Sequence, residues 1–190
     1  MCKRTNKTKN NKGFTLVELM VATSIFVVVI VSSIGSLLVL LGASKDSRGL
    51  RFAMDNVNFA MESMTRSVRM GINYYCGEEA PVSLDDYQDC SGENLLSFVP
   101  QTPLMSNTRV TYVFSKRADD SYTIQRCVGN DCVEIISSDV KIDTLKFFVT
   151  GSDPRDSTQA NVYILLKGTV TVKGKDSSFM IQTLASQRNY

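Results

Sequence analysis

Histidine is absent from all 190 residues. That absence removes Ser-His-Asp and Cys-His nucleophiles and every metal site built on imidazole. The glycine-rich devices of nucleotide and acyl chemistry are missing as well: there is no P-loop, no GxGxxG after a strand and no GxSxG. A Ser-Lys pair or a carboxylate pair would survive these exclusions, but no spacing marks one, and the chain reads as a non-enzyme. A third absence is of charge. From Leu19 to Ala43, twenty-five residues run without an ionisable side chain. As a helix rising about 1.5 Å per residue they reach about 37 Å, against a hydrocarbon core of roughly 30 Å, enough to cross a membrane with some tilt.

The residues ahead of that stretch have the opposite character. Lys3, Arg4, Lys7, Lys9 and Lys12 stand near the N-terminus with no acid among them. Cations keep their flank on the cytoplasmic side, which predicts an N-in, C-out orientation with everything after Ala43 outside. Between Phe14 and Ser44 there is one charge, Glu18. A carboxylate at mid-membrane costs on the order of 2.5 to 3.5 kcal/mol on insertion scales, less near the interface, and usually marks function. The plainer reading of Glu18 is an interfacial acid that snorkels or caps the helix N-terminus.

From Lys12 to Ala22 the chain reads KGFTLVELMVA, which closely resembles the processing site of type IV pilins and of the pseudopilins of type II secretion. The resemblance implies that a membrane-embedded prepilin peptidase cuts between Gly13 and Phe14 and N-methylates Phe14. It also implies a partner for the acid. Cleavage frees an α-amine on Phe14, and the Glu18 carboxylate meets the amine of a neighbouring subunit when helices stack with an axial offset, making Glu18 an assembly-register residue. The chain is then a peptidase substrate. An ordinary secretory signal fits less well: Leu41-Gly42-Ala43 puts leucine where a small residue is wanted, the apolar stretch exceeds the usual roughly 7 to 15 residues, and a discarded signal has no use for an acid. No lipobox cysteine ends the apolar stretch, and Cys2 lies in the leader instead.

The cut changes the charge balance. Taking the five leader cations from 21 Lys plus Arg leaves 16 against 19 acids, a mature net charge of about −3. No polybasic stripe remains outside, so nucleic-acid binding through a broad electrostatic footprint is not expected, a DNA-uptake pilus being the one context that keeps it open. Removing Cys2 leaves Cys76, Cys90, Cys127 and Cys132, an even set suited to an oxidising compartment. Three pairings exist. Val128-Gly129-Asn130-Asp131 holds turn residues between strand-like flanks, which favours Cys127 with Cys132 across a hairpin. Cys76 with Cys90 is then left to pin an irregular loop, restricting the unfolded state by about 3 kcal/mol in the chain-entropy model. With no CxxC pair and no histidine, zinc ligation by the four sulfurs is not indicated.

Beyond the apolar stretch, Leu50, Ala53, Met54, Val57, Ala60, Met61, Met64 and Val68 recur at three- and four-residue spacing, with Arg51, Asp55, Glu62 and Arg66 on other faces. This is the pattern of an amphipathic helix packed on a sheet, its methionines filling gaps in a core. One helix from about Phe14 to Met70 would be roughly 85 Å long. Gly71 is the expected C-cap, and Gly35, Gly42 and Gly49 are places where the helix can bend. Its own chain cannot cover the first half; lipid does so before assembly and other subunits' helices afterwards. Cys76 to Gly92 reads as a loop, with Pro81 and the acids Asp85, Asp86 and Asp89. Strands are expected at Leu95 to Val99, Arg109 to Ser115, Ser121 to Val128, Cys132 to Ile136, Lys141 to Thr150, Asn161 to Val172 and Ser178 to Ser186. Turns are expected near Ala118-Asp119-Asp120, at Gly129-Asn130, across Gly151 to Asp156 and at Gly174-Lys175-Asp176. The result is an α+β fold: a leader at 1–13, a transmembrane and assembly helix at 14–44, and a head at 45–190 in which the amphipathic helix packs on one antiparallel sheet.

This plan is similar to that of a pilin, and the C-terminal FMIQTLASQRNY is similar to minor pilins and to the larger minor pseudopilins of tip complexes. The largest tip pseudopilin typically lacks the acid supplied here by Glu18, so that cap is not the expected role. Asp85, Asp86, Asp89 and Glu93 would be the ligand set for Ca²⁺, as in some pseudopilin heads, although their spacing departs from the EF-hand loop and solvated loop acids are the plainer reading. No other cofactor is expected. Two functions are in view. The first is a structural subunit, minor, tip or priming, of a type IV pilus or type II secretion pseudopilus. Its partners are other pilins or pseudopilins through the N-terminal helix, the prepilin peptidase, the assembly platform, and lipid before assembly. It would start in the cytoplasmic membrane and end in an extracytoplasmic fibre. The second is a membrane-anchored adhesin or sensor head that never polymerises.

Overall fold

The computed structural model describes residues 13–101, 107–155, 158–172 and 174–188. Cys2 and the leader cations Lys3, Arg4, Lys7, Lys9 and Lys12 lie outside the described residues, as does Asp156, the expected end of one turn. The chain divides into two compact units, Met1–Lys45 and Asp46–Tyr190. One long helix, α1 (Leu16–Arg69), begins in the first and ends in the second. It continues without a break through Gly35, Gly42 and Gly49.

The head adds nine antiparallel-paired strands among the described residues: β1 (Gly71–Gly77), β2 (Cys90–Glu93), β3 (Leu95–Pro100), β4 (Val110–Lys116), β5 (Tyr122–Val128), β6 (Asp131–Glu134), β7 (Val140–Thr150), β8 (Asn161–Val172) and β9 (Lys175–Ser186). They form two sheets, ordered β1-β3-β4-β5-β6 and β2-β7-β8-β9. The α+β class therefore holds, and the single sheet does not. The seven strands expected from sequence part between β6 and β7, and two further strands, in or beside the segment expected as a loop, add one edge to each sheet. β1 has Asn73 at φ 52° and a register shift between Ile72 and Tyr75. β2 is Cys-Ser-Gly-Glu, without one β-branched or aromatic residue, and shifts register around Gly92 at φ 123°. Neither segment has the alternation by which strands are recognised.

The core lies between the outer part of α1 and the inward faces of both sheets. Ala53, Val57, Ala60, Met61, Met64 and Val68 are buried, with Leu50 and Met54 partly so, against Leu96, Phe98 and Tyr112 of the first sheet and Leu145, Phe147, Ile164 and Leu166 of the second. The hairpin expected at Gly129-Asn130 is a two-residue link between the paired Val128 and Asp131, with Gly129 at φ 60° in the position where a type II′ turn wants glycine.

Gly71 is not the C-cap. It opens β1 without a positive φ, and a Cβ there would lie 2.5 Å from Cδ2 of Phe98, so glycine is needed for close packing. The helix end is satisfied from elsewhere. The buried Tyr74 hydroxyl, 2.7 Å from both the Val68 and Gly71 carbonyl oxygens, donates to this pair, Gln101 N–H donates to Met70, and Arg188 N–H donates to Arg69. These bonds supply carbonyls that a helix leaves unpaired in its last turn. Burial raises the Tyr74 pKa above the ordinary phenol value, keeping it a donor. Tyr74→Phe is expected to cost about 1 to 2 kcal/mol by leaving a buried carbonyl unpaired. Urea denaturation of the detergent-solubilised chain measures it, and an unchanged midpoint would refute the capping role.

Candidate functional site: a lone acid on an uncovered helix

Gly13, Phe14 and Thr15 precede the first helical residue, Leu16. Thr15 is the N-cap: its Oγ1 accepts from Glu18 N–H at 3.3 Å and its carbonyl from Leu19 N–H at 3.1 Å. Thr15-Leu16-Val17-Glu18 has the capping-box pattern and puts the acid in the first turn, where the free N–H groups favour negative charge. The local sequence thus fixes the carboxylate about one turn beyond Phe14. Among the described residues Glu18 makes no ion pair.

The helix that follows has no cover. Every described side chain from Gly13 to Leu41 is exposed, and the most apolar eighteen-residue window has a mean hydropathy of 2.7 with none of it buried. A core helix of a water-soluble protein would match this composition but would be packed away. The five hydroxyls along the segment bond inside the helix: Thr23 and Ser24 donate to the Met20 carbonyl, Ser32 to Val28, Ser33 to Val29 and Ser36 to Ser32, at 2.7 to 3.0 Å. No water is needed to satisfy them, the condition hydrocarbon imposes.

In the head, the structure joins Cys76 to Cys90 and Cys127 to Cys132. The first bond links β1 to β2, and so one sheet to the other. The second joins directly opposed residues of the β5–β6 hairpin. Three of the four acids considered for Ca²⁺ have other partners or positions: Asp89 accepts from Gly151 and Ser152 N–H at 3.1 and 2.9 Å, Asp86 accepts from Ser83 N–H at 2.8 Å, and Glu93 lies in β2. Among the described residues no three or more Asp, Glu, Cys or His side chains come together as a metal set.

Residues 8–34 match the family model described as the prokaryotic N-terminal methylation motif. The chain is type IV pilin-like. The motif marks proteins processed by prepilin peptidase, and together with the apolar helix it fits membrane anchoring. The pilin-like match ends at residue 34, within the first unit. No curated protein and no solved structure matches the chain.

The pilin-like protein's head also holds two arginines that sequence reasoning passed over. Arg109, buried just before β4, donates through Nε to Ser97 Oγ, through Nη1 to the Ser83, Leu84 and Asp86 carbonyls, and through Nη2 to the Asn73 and Ser97 carbonyls, at 2.6 to 3.3 Å. It binds the acidic loop through the backbone and straps it to the first sheet. Burial lowers the Arg109 pKa, while Asp86 and Asp85 pull it back up. One role of those acids is therefore to balance a desolvated guanidinium. Arg117, half-buried, pairs with Glu134 at 2.8 Å and donates to Thr123 Oγ1 and to the Ile136, Ser137 and Val140 carbonyls, tying the β4–β5 turn to the start of β7. The only sequence signal was a cation bordering each end of the apolar β4, which is also common at exposed positions.

Arg109→Lys keeps the charge but loses the planar fork. It is expected to destabilise the head by about 2 to 4 kcal/mol, because several loop carbonyls lose their donor. Urea titration with limited proteolysis of residues 78–89 checks this, and wild-type stability with an uncut loop would show that the strap is dispensable.

Proposed function

We propose that this chain is a structural subunit, of minor, tip or priming type, of a type IV pilus or type II secretion pseudopilus. The peptidase cuts between Gly13 and Phe14 and methylates the new amine of Phe14. The processed chain waits in the cytoplasmic membrane with its N-terminus inside, and the assembly platform then draws it into a fibre of other pilins or pseudopilins. The observation that carries this reading is the uncovered apolar helix with a lone carboxylate in its first turn, the acid lying inside the methylation motif.

The physical step is a change of environment at constant helix structure. In lipid, the acid near the interface has no strong partner and raises the energy of the free subunit. Beside a second helix offset along the axis, it faces the cationic α-amine of that subunit's Phe14, and the pair forms in a medium where charge-assisted bonds are strong. The same contact aligns the apolar stretches, so one pair sets the stagger of two helices. N-methylation leaves a basic amine and removes one N–H. The disulfide-tied head needs no part in this step; it selects neighbours or ligands.

Coexpression with a prepilin peptidase should shorten the chain by about 1.5 kDa, the leader's mass, and add the mass of one methyl group. Replacing Gly13 should abolish both changes. A chain that stays intact by mass spectrometry would favour the non-polymerising membrane anchor.

Glu18→Val should leave processing intact, since the apolar character of the segment only increases. Incorporation into fibres should fall about tenfold or more, because a charge-assisted bond contributes more than the 1.4 kcal/mol that a factor of ten requires. Quantitative immunoblots of sheared fibres measure it, and normal incorporation would remove the register role from Glu18.

A further inference from the structure

We propose that the outer edge of β9 is a strand-addition site for an extended segment of a partner protein in which apolar and acidic residues alternate. The proposal goes beyond the assembly role and does not depend on it. β9 pairs on one side only, with β8, through twelve consecutive partners from Val172↔Lys175 to Asn161↔Ser186 and no register shift. Among the described residues, no backbone bond reaches its other side. Sheets usually blunt such an edge with proline, charge, a bulge or short length. The other short edges follow that rule: β6 is four exposed residues with Asp131 and Glu134, and β2 is four residues with a shifted register. From Ser177 to Ser186, β9 carries no proline and no charge.

What surrounds the edge narrows the occupant. A groove of about 570 Å³ separates it from the last turns of α1, with Ile181, Gln182 and Thr183 on one side. Its rim carries Arg66 and Arg69 with the carboxylate of Glu62. The Glu62–Arg66 pair is exposed, 69% and 78%, so water screens it and a second carboxylate can share the guanidinium. On the opposite face of the sheet, Phe148, Tyr163 and Leu184 are successive cross-strand partners, a row that reaches the edge at Leu184 with Met180 on the same face. Leu184 and Met180 are each 56% exposed. Side chains of an added strand alternate between the two faces. One set would extend the apolar row and the other would meet the guanidinium rim, where acidic groups bind and basic ones are repelled.

The test uses the full chain in detergent micelles and a fluorescein-labelled ten-residue peptide alternating Val and Glu. Anisotropy should report binding, and hydrogen exchange should slow within Lys175–Ser186. A Val-Lys peptide and a fully N-methylated Val-Glu peptide should not bind. The double variant Arg66→Gln, Arg69→Gln should bind about tenfold more weakly with an unchanged urea midpoint. The proposal is overturned if β9 gains no protection at millimolar peptide, or if either control peptide binds equally well. It is also overturned if β9 protection in the protein alone falls on dilution, which would give the edge to a second copy of the chain.

Discussion

The constraint on which the rest depends is an apolar helix surface that its own chain leaves bare. Burying a Val, Leu, Ile or Phe side chain contributes about 1.5 to 3 kcal/mol. Such residues fill α1 from Leu16 to Leu41, all of them exposed. Water cannot be their resting environment. Only a bilayer or a bundle of similar helices supplies the missing contacts, and moving between the two costs little because both are apolar. Directionality has to come from a polar group, and between Phe14 and Ser44 the only charged one is Glu18. Thr15 holds that carboxylate in the first turn, and the internally bonded hydroxyls ensure that little else along the segment competes for partners.

The head solves a different problem. Two sheets share one core with the outer part of α1, and their strands alternate in sequence, β2 belonging with β7 rather than with β1 and β3. Such an arrangement needs ties across the seam. The Cys76–Cys90 bond joins the sheets covalently, Asp89 reaches from beside β2 to the Gly151 and Ser152 amides, and Arg117 spans from the β4–β5 turn to the start of β7. Arg109 holds the intervening acidic loop by its carbonyls. Arg109 is buried and the disulfide is covalent, so these two ties survive salt better than surface ion pairs do.

The parts legible in sequence were those with a strong local signature. Charge-free length marked the apolar segment, three- and four-residue spacing marked the buried stripe from Ala53 to Val68, and β-branched alternation marked the long strands β7 and β8. The hairpin at Gly129-Asn130 was legible because its turn residues and flanks agree. β1 and β2 were not, since pairing, not propensity, makes them strands: Asn73 has a left-handed φ, and β2 is too short and polar to stand alone. Arg109 gave no warning, because an arginine beside a strand is ordinary until a loop folds over it. The helix end was misread for a similar reason; glycine is a frequent cap, but here Tyr74 and the C-terminal segment supply the donors.

The sequence by itself determined the membrane-length apolar helix, its solitary acid and the methylation motif, because each depends on residues within a few turns of one another. Tertiary structure alone decided that the head has two sheets, that its acids serve a buried guanidinium and backbone amides, and that β9 ends with an open edge. Those features rest on contacts between segments tens of residues apart, and the free energy of such contacts is set by what the fold brings opposite, which no local pattern encodes.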